Sequence, residues 1–203
     1  MKRAYIFLLL IAVIVLFLSP QGVDAVEHDF VFKAGLDGGY FMIDMDPWEK
    51  PLGKLTKPGF SLAGEYINDL EVKTAELGVG IEHLLARRTL TENGEEFGFT
   101  SFYSVLNFEL GDIGSLDFLT FKEPFLRFRL GYNFFHPPAS REESEDISTS
   151  NGLFAGGSLG AKKEQFLVEC FFNLNTASET DEIYQETANI SLFRIGVAVG
   201  LVI

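Results

Sequence analysis

The sequence predicts an eight-stranded antiparallel up-and-down β-barrel that crosses a membrane, and three observations predict it. An apolar leader opens the chain, eight later segments alternate with period two, and the final segment keeps alternating to the last residue. Within Ser191–Ile203, the residues Phe193, Ile195, Val197, Val199, Leu201 and Ile203 share one face, while Arg194, Gly196, Ala198 and Gly200 share the other. Successive side chains of a strand point to opposite sides, so this strand has one strongly apolar face and one small or polar face.

Met1–Ala25 reads as a signal peptide. Lys2 and Arg3 give a positive start, Tyr5–Leu18 an apolar core, and Val23-Asp24-Ala25 small residues at a cleavage site. The apolar run is shorter than the roughly 18–20 residues a spanning helix needs, and Pro20 and Gly22 follow it. The expected barrel domain is therefore residues 26–203. Without Lys2, Arg3 and Asp24 the chain carries 14 basic and 28 acidic residues, a net charge of −14. That balance excludes the basic footprint of a nucleic-acid binder. Cys170 is the only cysteine, which excludes a disulfide and a thiolate metal cluster. Phe is abundant at 21 residues, whereas Trp48 is alone; a barrel with its apolar side outward gives so many Phe a place.

Taken in order, the expected strands are Phe30–Asp44, Phe60–Ile67, Ala75–Leu85, Phe99–Leu110, Phe125–Phe135, Leu153–Lys162, Phe166–Asn175 and Ser191–Ile203. Most approach the roughly 9–11 residues of a tilted membrane strand. The first two alternate least cleanly, and Gly38–Gly39 suggests a bulge or bend in the first. The third sets Leu77, Val79 and Ile81 against Glu76, Gly78, Gly80 and Glu82. The fourth sets Leu106, Phe108 and Leu110 against Tyr103, Val105, Asn107 and Glu109. The fifth is the clearest, with Leu126, Phe128, Leu130, Tyr132 and Phe134 alternating with Arg127, Arg129, Gly131 and Asn133. The seventh opposes Val168, Cys170, Phe172 and Leu174 to Glu169, Phe171, Asn173 and Asn175. The connections Met45–Gly59, Ala86–Gly98, Pro137–Asn151 and Thr176–Ile190 are long and polar, whereas Asn68–Thr74 and Lys163–Gln165 are short. Long external loops alternating with short periplasmic turns is the outer-membrane pattern; Gly111–Glu123 is longer than that pattern prefers.

Orientation follows from what shares the polar face. Gly78, Gly80, Gly131, Gly156, Gly160, Gly196 and Gly200 fall there, where a narrow interior needs small residues opposite long ones. So do charges of both signs: Lys33, Asp37, Glu65, Glu76, Glu82, Glu109, Arg127, Arg129, Lys162, Glu169 and Arg194. Such a set is expected as a lumen charge network, since enclosed ions must pair. Leu126, Phe128, Leu130, Phe193, Ile195, Val197, Val199, Leu201 and Ile203 are expected to face lipid. Tyr40 and Tyr132 are expected in interfacial girdles.

The segments AELGVGIE (75–82), PFLRFRLGYNFF (124–135) and GLFAGGSLGAK (152–162), with the terminal strand, resemble the small eight-stranded outer-membrane barrels, the OmpA-like and OmpX-like β-barrel domains. The resemblance spans essentially the whole mature chain and rests on order and spacing. It departs in one place: the chain ends in Ile203 where the family usually ends in an aromatic residue. The resemblance implies the outer membrane of a diderm bacterium, contact with outer-membrane lipid and lipopolysaccharide, insertion by the barrel-assembly machinery, and a monomer.

Chemistry is sparse. His28, His83 and His136 match no metal-ligand spacing, and no cofactor motif is present. Some barrels of this resemblance are lipid A deacylases or acyltransferases; His83 with Ser104, or His136 with Ser140, would be the pairs to serve such a role. The acidic stretches Glu142, Glu143, Glu145, Asp146 and Glu179, Asp181, Glu182, Glu186 lack EF-hand spacing and read as solvated loops. The function expected is non-enzymatic, structural or surface-interacting through the external loops. A lipid A-modifying enzyme, a narrow pore and a soluble periplasmic lipid-binding barrel stand as alternatives.

Overall fold

The structure, a computed structural model, describes residues 28–44, 52–70, 75–90, 96–111, 123–138, 147–183 and 186–203. Those residues form nine strands: β1 His28–Asp44, β2 Leu52–Leu55, β3 Gly59–Asp69, β4 Ala75–Arg88, β5 Glu96–Glu109, β6 Glu123–His136, β7 Ile147–Lys163, β8 Phe166–Asp181 and β9 Glu186–Val202. From β3 onward each strand pairs antiparallel with the next, β3 pairs with β1, and β9 returns to pair with β1. The eight long strands therefore close on themselves. Closure runs from Val31↔Val202 to Asp44↔Asn189, and two backbone hydrogen bonds between Phe30 and Ile203 (3.0 and 2.9 Å) seal its lower end. A closed sheet leaves no unpaired edge, the condition for a β structure in lipid.

The ninth strand is an addition to the expected eight. β2 lies inside the stretch expected as the loop Met45–Gly59 and pairs with Tyr40–Ile43 of β1. It takes over β1's edge where β3 stops, since the last β1–β3 pair is Asp37↔Gly59 and the first β1–β2 pair is Tyr40↔Leu55. The change of neighbour falls at Gly38–Gly39. No bulge occurs there, because pairing with β9 runs unbroken through Gly38↔Ile195 and Gly39↔Arg194. A Cβ on Gly39 would sit 2.9 Å from Thr56 Oγ1 and 3.1 Å from Leu192, so glycine permits the close approach. The bulges lie elsewhere, between Leu84 and Arg87 on β4 and between Asn151 and Phe154 on β7.

The external connections are shorter than their sequence suggests. The stretch expected as the loop Thr176–Ile190 is mostly hairpin, with β8 running to Asp181 and β9 starting at Glu186. Hydroxyl pairs tie this extension together: Ser150 to Ser178 at 2.5 Å and Thr180 to Thr187 at 3.1 Å. At the other end β7 and β8 turn over Glu164-Gln165, with Glu164 in the left-handed region (φ 53°). The leader Met1–Ala25, most of the connection Gly111–Glu123 and the tip of Pro137–Asn151 lie outside the described residues.

Inside, the barrel is layered. Toward the short-turn end Val31, Ile67, Val105, Phe125, Leu167 and Val202 pack together, joined by Tyr103 and Phe154. Toward the loop end Phe41, Leu84, Phe97, Phe99, Phe135, Ile190 and Leu192 form a second apolar layer. The Phe content thus does not simply dress the exterior: Phe97, Phe99, Phe125, Phe135, Phe154 and Phe171 are buried in the lumen. Between the two layers lie the ions.

Candidate functional site

The lumen layer is built by alternation, because every second residue of each strand must enter the enclosed space. β1 contributes Lys33 and Asp37, β3 Glu65, β4 Glu82, β6 Arg127 and Arg129, β8 Glu169, and β9 Arg194; all are buried. Two clusters result. In the first, Lys33 Nζ donates to Glu65 Oε1 (2.6 Å) and Glu169 Oε1 (3.1 Å). Arg129 donates through Nε to Glu65 Oε1 (3.0 Å) and through Nη2 to both Glu169 oxygens (2.7 and 2.8 Å). Arg127 Nη1 reaches Glu65 Oε2 at 2.6 Å. The Tyr103 hydroxyl donates to Glu65 and Ser158 to Glu169, so the carboxylates' remaining lone pairs are also used. Arg127 Nε donates to Asn107, which donates on to Glu76, extending the network toward the short-turn end.

In the second cluster Arg194 donates to both oxygens of Glu82 (2.5 and 3.3 Å), to Asp37 Oδ2 (3.4 Å) and to Asn175 Oδ1 (3.0 Å). Arg87 donates to both Asp37 oxygens through its two terminal guanidinium nitrogens, while its buried Nε has no partner among the described residues. A buried Ser101–Asn133–Asn175 triad backs Arg194. Arg87 and this triad join the network beyond the charges expected from alternation. Arg87 was hidden by the β4 bulge: Leu85 and Ala86 both face out, which restores Arg87 to the inside where strict alternation would put Ala86.

Two expected members sit apart. Glu109 is exposed at the rim, because β5 ends there and nothing encloses its side chain. Lys162 pairs with Asp29 at 2.7 Å, with both side chains about one-third exposed (32% and 33%), away from the buried clusters. Glu179, read as part of a solvated acidic loop, is instead buried, because β8 continues past the expected strand end and keeps its alternation. A space among the ions, bordered by Lys33, Ser61, Glu82, Tyr103, Arg129 and Glu169, has a volume of about 10 Å³. That is room for about one water. At the ion layer, side chains fill the lumen of the described barrel.

The exterior is the opposite surface. Leu130 (66% exposed), Ile195 (70%) and Val199 (61%) stand free, with Phe128, Val197, Leu201 and Ile203 also exposed; Leu126 and Phe193 are half-buried among them. Phe30, Phe32, Leu36, Phe60, Leu62, Ile81, Leu153, Leu159 and Phe172 continue the belt around other strands. A continuous apolar surface of this extent is the kind that a membrane-spanning barrel turns to acyl chains. This chain has the fold of a small eight-stranded outer-membrane β-barrel.

No protein-family model matches the barrel, and no curated protein matches it by sequence. Solved structures similar to it include Ail, the attachment invasion locus protein of Yersinia pestis, at 11% identity, covering 87% of this chain and 99% of that one with a TM-score of 0.48. The outer membrane protein OprG of Pseudomonas aeruginosa is similar at 12% identity, covering 88% of this chain and 97% of that one, TM-score 0.45. The outer membrane protease OmpT of Escherichia coli is similar at 11% identity, covering 89% and 99%, TM-score 0.35.

Among the described residues, the barrel's exterior holds a polar cluster that spacing could not reveal. Ser104 pairs with Val79, so the register carries it four residues away from His83; that pairing is not formed. Ser140, suggested for His136, lies outside the described residues. Both histidines converge instead on Thr100 of β5. Its Oγ1 lies 2.9 Å from His83 Nδ1 and 2.8 Å from His136 Nε2, and the two rings are 5.9 Å apart. Beneath them Phe102, Tyr132 and Phe134 form an aromatic band.

Proposed function

We propose that the protein is a non-enzymatic outer-membrane barrel, exported by its Met1–Ala25 leader, that acts at the cell surface through its loop end. The observation that carries this reading is the filled lumen: two apolar layers sandwich a layer of buried ion pairs, and the space bordered by Lys33, Glu82, Arg129 and Glu169 has room for about one water. Specificity then belongs to the part that leaves the lipid, where β7, β8 and β9 rise as a hydroxyl-rich extension toward Asp181 and Glu186. A soluble lipid-carrying barrel would need the reverse arrangement, with apolar residues lining a roomy interior.

Planar-bilayer recordings together with surface labelling test the reading. Thr180→Cys, in a Cys170→Ala background, is expected to react with a membrane-impermeant maleimide on intact cells, and the purified barrel is expected to show no discrete conductance. Unitary conductance steps would replace this reading with a pore. Lipid A from a strain expressing His83→Ala or His136→Ala is expected to keep the acyl pattern of the strain expressing the unaltered chain; a change would promote the enzyme.

A further inference from the structure

The geometry points to a divalent transition-metal site on the outer face of the barrel, formed by His83 and His136 across Thr100. The two imidazoles come from β4 and β6, the strands on either side of β5, and both lean over the strand between them. Each aims a ring nitrogen at the same point: His83 Nδ1 and His136 Nε2 lie 2.9 and 2.8 Å from Thr100 Oγ1. A hydroxyl carries one proton, so it can donate to only one of the two rings; the other ring must donate to it. Both ring nitrogens therefore already converge on one oxygen, the arrangement that two imidazole ligands of a single cation need.

Both rings are exposed, and His136 ends β6 at the loop end of the barrel beyond the Phe102–Tyr132–Phe134 band, so a cation approaches them from the loop side without entering the lumen. Metal–nitrogen bonds of about 2.0–2.1 Å require each ring to swing about an ångström from its hydroxyl contact. The cation then replaces both hydrogen bonds: the donating ring carries its proton on its other nitrogen instead, the Thr100 proton turns to water, Thr100 Oγ1 stays as a neighbouring oxygen donor, and water completes the shell. Imidazole donors with oxygen select zinc or copper(II) over magnesium or calcium. Among the described residues no three His, Cys, Asp or Glu side chains converge on one point, so the site is a two-imidazole site with open positions. Binding should weaken on acidification, since metal and proton compete for the same ring nitrogens.

The test is zinc titration calorimetry on the untagged, detergent-folded full barrel in a His28→Gln background, which removes the third imidazole. One zinc equivalent is expected to bind. His83→Gln and His136→Gln should each weaken it at least tenfold, whereas Thr100→Val, which keeps both imidazoles, should change it by less than that. Calcium should give no saturable heat that depends on either histidine. The unboiled gel shift of each variant reports that the barrel has closed. Zinc affinity unaltered in both histidine variants, or no saturable binding by the folded barrel, would overturn the site. Neither outcome alters the conductance or labelling results that test the surface role.

Discussion

Arg129 and Leu130 are adjacent in the chain and live in opposite solvents. Arg129 is buried among two carboxylates, and Leu130 stands 66% exposed on the outer face. The same contrast repeats along β6 at Arg127 and Phe128, and across the barrel at Arg194 and Ile195. Alternation sorts side chains by face, but the two faces are stabilised differently. The outer face needs only apolarity, since lipid is a uniform solvent. The inner face needs partners, because an ion withdrawn from water is tolerated only when its charge and hydrogen-bonding groups are satisfied. Substitutions outside should therefore act one residue at a time, and substitutions inside should act through whatever they leave unpaired.

Breaking the inner face at its centre should have the largest effect. Glu65 accepts from Lys33, Arg127, Arg129 and Tyr103. Glu65→Leu strands three buried cations beside Glu169 alone, and urea titration of the folded barrel should show a loss of at least about 3–5 kcal/mol. Arg194→Met should cost a similar amount by leaving Glu82 buried without its guanidinium. Adding Glu82→Leu should recover much of that loss, because Asp37 keeps Arg87. Strict additivity of the two would contradict the pairing.

On the outer face, Leu130→Arg should destabilise the barrel in vesicles by about 2–4 kcal/mol, the range for a charge near the bilayer midplane. A conservative Leu130→Val should change little, as no neighbour depends on it. The smallest effect belongs where neither solvent regime applies. Lys162→Ala removes the rim pair with Asp29 and should cost at most about 1 kcal/mol, an amount that shrinks as salt rises. A large, salt-independent loss there would extend the sealed lumen to the rim.

How legible this was depended on whether a feature obeyed the two-residue period. β6 and β9 keep strict alternation through the bilayer, and their faces could be read directly. The upper ends of β7, β8 and β9 carry Ser and Thr rather than an apolar set on their outer side, so the strands read as loop. Arg87 escaped because one bulge reverses the parity after Leu84. β2 is four residues long and pairs only with the upper end of β1, too short to show a period. Composition cannot distinguish faces, so an abundance of Phe does not separate the Phe residues of the two lumen layers from those outside. The His83–Thr100–His136 cluster was invisible for a different reason: its members lie on three strands, and only register brings them together.

Orientation is tested most directly by the accessibility of spin labels placed singly at Ile195, Val197 and Val199 in proteoliposomes. Strong relaxation by dissolved oxygen and weak relaxation by water-soluble nickel chelate at all three positions is the predicted result. Strong nickel relaxation at these positions would mean that the apolar face of β9 meets water, and the account of a lipid-facing exterior around a sealed ionic lumen would be wrong.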